Sequence, residues 1–118
     1  KTASTALNQL PDSSAVQKFS GTFSNGPYGT VAGYARIYQQ GGQYQLKLEN
    51  LSSSAGPDLH VYLSREVLPV NYIDLGKLQS TTGNQLYPIP GNPDFTLYKY
   101  ALIHCQRFNH LFGNAELR

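Results

Sequence analysis

The chain has 118 residues, a formal net charge of +2, 40% hydrophobic and only 14% charged residues, and one cysteine. That length supports one domain with its own core. The weak charge, without any Lys/Arg cluster, argues against a nucleic-acid binder, and no apolar run approaches the roughly 20 residues of a membrane-spanning helix.

Nine tyrosines and eleven glycines with few charges suit an all-β domain better than a helical bundle. The single cysteine leaves neither an intrachain disulfide nor a multi-cysteine zinc site. An intermolecular disulfide, a thiolate ligand, a reactive thiol and a buried spectator remain open.

Residues 1–18 are polar and small, with Pro11-Asp12-Ser13-Ser14 in the middle, and read as an arm or tether before a domain over 19–118. Lys1-Thr2-Ala3-Ser4-Thr5 lacks an apolar signal core and reads as the stub left by a removed signal or lipid anchor, or by the choice of fragment. Phe19-Ser20-Gly21-Thr22-Phe23 is a short strand closed by Asn25-Gly26-Pro27. Gly29 to Tyr38 is a longer one, with Val31, Gly33, Ala35 and Ile37 facing one way and Ala32, Tyr34, Arg36 and Tyr38 the other. Gly33 inside it predicts a bend or a close backbone approach. Gly41-Gly42 is a hairpin turn, and Gln43 to Glu49 returns with Tyr44, Leu46 and Leu48 inward.

Gly56-Pro57-Asp58 leads into Leu59–Ser64, a strand predicted to be half-buried, with His60 and Tyr62 on its wet face. Ile73 to Leu78 is apolar around Gly76. Gln85 to Pro90 is a strand whose prolines place it at a sheet edge, and Phe95 to Tyr98 reads as one helical turn. Leu97 to Phe108 has the apolar and aromatic density of a strand. At period two, Cys105 joins Lys99, Ala101 and Ile103 on one face, while His104 joins Tyr98, Tyr100 and Leu102 on the other. Arg107 falls on the Cys105 face if the strand runs that far, where it would favour a thiolate. Asn109 to Ala115 reads as a final turn and Glu116-Leu117 as a short closing strand. Turns every eight to twelve residues predict a single antiparallel β-sandwich or flattened barrel. Its core should contain Val31, Ala35, Ile37, Leu46, Leu48, Leu59, Val61, Leu63 and Ile103.

Few side chains carry obvious chemistry. Asp58 reads as a loop brace before a catalyst, His60 as a solvent-facing imidazole, and the tyrosines as rings covering sheet surface. His104 and His110 form a ligand pair only if the chain folds between them. Asn50-Leu51-Ser52 is a glycosylation acceptor only in a eukaryotic secretory setting. No nucleophile triad, phosphate loop or carboxylate pair stands out.

A resemblance becomes specific at Gly56-Pro57-Asp58-Leu59-His60-Val61-Tyr62-Leu63-Ser64. It continues through Leu75-Gly76-Lys77-Leu78, Gly83-Asn84-Gln85-Leu86-Tyr87 and Ile89-Pro90. It closes with Ile103-His104-Cys105-Gln106-Arg107-Phe108 and Leu111-Phe112-Gly113-Asn114-Ala115. In order and spacing these resemble the Skeletor-type DM domain, the electron-transfer DM family numbered thirteen, over about residues 19 to 117. The resemblance implies an extracytoplasmic β-domain (secreted, periplasmic or tethered to a cell surface, as in lipoproteins) with a redox role. Its cysteine, here Cys105, would act as a free thiol or bind a metal or haem. Two departures stand out. His104 replaces the aromatic residue usual before the cysteine, and Gly29 occupies a place where the family often has histidine.

The resemblance thus implies a redox or electron-transfer accessory module, serving a redox partner protein, with Cys105 at a pocket edge near Asp58 and Phe108. Any membrane association would come through a tether outside this chain. The alternative is a non-catalytic domain that binds a cell-surface polymer or partner through exposed tyrosines and loops, its cysteine structural. Neither reading calls for an enzyme.

Overall fold

The computed structural model describes residues 14–118. Among them no helix occurs, and eight antiparallel strands form one nearly closed, barrel-like sheet. They are β1 (Val16–Asn25), β2 (Val31–Gln40), β3 (Gln43–Ser53), β4 (Leu59–Ser64), β5 (Tyr72–Lys77), β6 (Thr82–Ile89), β7 (Tyr100–Cys105) and β8 (His110–Glu116). The sheet order is β5-β4-β7-β8-β1-β2-β3-β6. The shortest dimension is 21 Å, about what two facing layers roughly 10 Å apart require, so the barrel is flattened as expected. Most of the arm read over residues 1–18 lies outside the described residues; β1 already begins at Val16.

One strand joins the two layers. β1 pairs with β2 from Val16 to Thr22, then with β8 from Phe23 to Asn25. A second tie to the C-terminus comes from paired backbone bonds between Ser20 and Arg118. Gly21 makes this possible: a Cβ there would stand 2.1 Å from the Glu116 carbonyl oxygen. The bend predicted at Gly33 is a bulge in the β2–β3 ladder between Ala32 and Tyr34. Its φ is +116°, and a Cβ would meet Asn50 O at 2.7 Å, a conformation and a clearance that only glycine meets.

All nine predicted core side chains are buried in one cluster with Cys105, Phe95 and Phe112. β6 is an edge strand, as its prolines predict. The segment after β5 caps the gap between the edges: Leu78 N donates to Leu59 O, and Gln79 N to Tyr87 Oη. Phe95 to Tyr98 make the single helical turn expected, with the amides of Leu97 and Tyr98 both donating to Asp94 O at 3.0 and 2.8 Å.

Three expectations need correction. The segment read as a turn, Asn109 to Ala115, is mostly β8, which runs from His110 to Glu116. Gly113 lies in the ladder opposite Asn25 and against Val31, leaving no room for a side chain. β7 ends at Cys105 and residues 106–109 turn, so Arg107 is exposed and does not extend the cysteine face. Finally, β4 is buried at all six positions, because Asp58, Asp74 and Tyr72, the 65–71 loop at Ser64 and Gln106 cover the face that alternation assigns to water.

Gly21→Ala should lower stability by about 3 kcal/mol, since backbone on both sides must move. Gly42→Ala, with nothing within 4 Å of the new methyl, should stay within about 0.5 kcal/mol of wild type. Urea-unfolding midpoints of the two variants check this.

Candidate functional site

β4 and β7 pair in register, with Leu59 opposite Cys105, His60 opposite His104, and Tyr62 opposite Leu102. Alternation then divides the chemistry. Cys105 faces the apolar core, whereas His60, Tyr62 and His104 face outward beneath the covering loops.

Cys105 is a free thiol and 1% exposed. It stands at the last position of β7, where the chain turns away. Directly after it, Gln106 N donates to Asp58 O at 2.9 Å. This bond latches the Gly56-Pro57-Asp58 loop to the 106–109 turn across the strand end. The loop lines an open pocket of about 300 Å³ together with Lys77 and Leu78, but Cys105 is not among the lining residues. Phe108 does not shield the sulfur: it is 54% exposed and its ring tilts toward His110, 5.9 Å away. Of the three candidate site residues, the fold brings the Asp58 backbone close to the strand end and leaves Phe108 outside.

A haem or metal does not fit at this thiol as the chain is folded. The sulfur is enclosed by core side chains, and among the described residues no group of three or more His, Cys, Asp or Glu residues is placed to hold a metal ion. His104 and His110 do not converge either. His104 Nε2 lies 2.8 Å from Asn109 Oδ1, while His110 stacks on Tyr28 with centroids 3.7 Å apart.

On the outer side lies a buried polar network. His60, read as solvent-facing, is 8% exposed. Its Nδ1 is 3.1 Å from both Asp74 carboxylate oxygens and its Nε2 is 3.2 Å from Asp58 Oδ1. Gln106 Nε2 donates to Tyr62 Oη at 3.0 Å, and the Tyr62 ring stacks on Tyr72 at 4.3 Å. Burial pushes the Tyr62 phenol up to about 12, so it stays protonated throughout the neutral range. Burial also pushes the His104 imidazole down, only partly offset by the Asn109 bond. With Nε2–H donating to Asn109, Nδ1 carries a lone pair, and this buried atom has no partner.

This network is what sequence reasoning missed. One signal was available: Asp58 and His60 are two apart, which puts them on one face of an extended chain. Asp74 comes from a different strand, and no local pattern announces it.

Residues 22–117 match the family described as Electron transfer DM13. The match covers most of the chain, which belongs to that family. No curated protein and no solved structure matches it.

Two outcomes follow. Cys105→Ser places a hydroxyl among core side chains and should cost about 2 kcal/mol, read from chemical unfolding. His104 is held neutral in the fold, whereas the unfolded chain takes up a proton below its reference value of about 6.5. The unfolded state then binds more protons, so stability falls as pH drops through about 6.5. His104→Gln should flatten this part of the profile between about pH 7 and pH 5.5; an unchanged slope would mean that His104 does not cause it.

Proposed function

We propose that the domain is an electron-transfer accessory module working outside the cytoplasm, with the Cys105 thiol as its redox group and a redox protein as its partner. Membership of the electron-transfer family supports the class. The observation that carries the placement at Cys105 is the latch, a single backbone bond from Gln106 N to Asp58 O beside the only cysteine.

Burial sets the chemistry open to this thiol. In the closed state, water and reagents do not reach the sulfur. Local opening of the latch frees the end of β7 without disrupting the core ladder, an event that costs far less than global unfolding. The exposed thiol loses its proton to solvent, and the thiolate attacks a disulfide of the partner. A bond forms from Cys105 Sγ to the nearer partner sulfur, the partner's S–S bond breaks, and the second partner sulfur leaves as a thiolate. Cys105 is thereby oxidised into a mixed disulfide and the departing sulfur is reduced. An oxidising extracytoplasmic compartment supplies such disulfides. The family resemblance and the polar N-terminal sequence support that setting. An export or lipid-anchor signal encoded upstream of Lys1 is its direct check, and a cytosolic start counts against it.

Reaction of the native protein with a small aromatic disulfide tests the thiol. The wild type should react slowly and at a rate that stops rising with reagent, because opening limits it. Gln106→Pro deletes the donor amide and should accelerate the reaction up to about tenfold. Gln106→Ala, which keeps the amide, should do so much less, and Cys105→Ser should abolish it. A thiol that stays silent in both wild type and Gln106→Pro until the protein unfolds would overturn the proposal and leave Cys105 a core residue.

A further inference from the structure

A large surface cavity lies on the outer face of the sheet, with Val67 of the 65–71 loop at its rim. It is an open trough of about 760 Å³. β8 and β1 form its floor, β2 one wall and β7 the other. With strands roughly 4.8 Å apart, three spacings separate the walls by about 14 Å, and Ser20 to Ser24 span about 13 Å along the strand.

The floor is polar and open to water. The outward side chains of Ser20, Thr22, Ser24 and Asn114 line it, and among the described residues no hydrogen bond engages their side-chain groups. The walls are aromatic. Tyr34 rises on β2, 40% exposed, with the Arg36 guanidinium 5.2 Å from its ring. Tyr100 rises on β7, with Lys99 Nζ 5.6 Å from its ring. The two arginines in the trough are already paired, Arg36 with Glu49 and Arg118 with Glu116.

We infer that this trough is a binding site for a neutral oligosaccharide. Sugar hydroxyls both donate and accept, matching a floor of hydroxyls and an amide. Their apolar C–H faces suit tyrosine rings standing at the two walls. Both arginines lining the trough are held by carboxylates, so neither offers an anion a free guanidinium. An apolar ligand would strip water from the floor without replacing its hydrogen bonds. An extended peptide finds no strand to join, because β1 and β8 spend their backbone groups in their own ladders. This site is separate from Cys105, and its occupancy does not depend on the thiol reading.

Two-dimensional amide NMR titration of the intact chain with neutral cello-, malto- and chito-oligosaccharides tests the inference, with heparin as the anionic comparison. At least one neutral oligosaccharide should shift amides at Ser20, Thr22, Tyr34 and Asn114. Tyr34→Ala, on the wet face, should keep the wild-type unfolding midpoint and weaken that binding about tenfold. Tyr72→Ala, outside the trough, should leave binding unchanged. No shift with any neutral oligosaccharide overturns the inference, as do shifts with heparin alone or binding that survives Tyr34→Ala undiminished.

Discussion

The structure depends on β4 and β7 being buried on both faces. A strand wet on one side can carry any polar side chain there, but one covered on both sides must give each outward polar atom a partner. The outer face of this pair meets that demand with Asp58 and Asp74 around His60, Gln106 on Tyr62, and Asn109 on His104. The same residues position the loops. Asp58 accepts at its carbonyl from Gln106 N while its carboxylate faces His60, so the covering of the outer face and the closure over the end of β7 are one construction. Cys105 sits beneath that closure.

The inner face is simpler. Val61, Leu63, Ala101 and Ile103 are fully buried among aliphatic and aromatic neighbours. The same packing keeps solvent from the Cys105 sulfur, which is 1% exposed. On the proposed function, access to Cys105 comes through motion at the strand end, where the apolar packing gives way to a turn. The β1 side of the molecule answers to a different constraint. There the close approach of Gly21 to Glu116 brings the two layers together and leaves hydroxyl-bearing residues on the open outer face.

Much of the fold was legible because strand alternation is a local property. Val31, Ala35, Ile37, Leu46 and Leu48 declare their inward face through their immediate neighbours, and Gly41-Gly42 fixes the register of the hairpin between them. Gly33 declared a bulge, though not that Asn50 across the ladder would also take a positive φ of 52°. What remained hidden depended on contacts distant in sequence. His60 reads as wet because nothing near it reveals that Asp74 of β5 closes on its ring. Gly113 reads as a turn because only Val31, far earlier in the chain, shows why a strand needs a glycine there. The opposed faces of His104 and Cys105 were legible, and they separate the thiol from the imidazoles. Phe108 misled because β7 stops at Cys105, a boundary that apolar density alone does not mark.

On the proposed function, Cys105 meets solvent when the latch opens by itself. Native-state hydrogen exchange of the Gln106 amide, compared with the Ile103 amide in the middle of β7, measures this directly. Local opening predicts that Gln106 exchanges with a free energy well below that of Ile103 and insensitive to low denaturant, while Ile103 tracks global unfolding. Equal exchange free energies for the two amides, with the same denaturant dependence, would show that Cys105 meets solvent only when the whole domain unfolds, and would contradict the account.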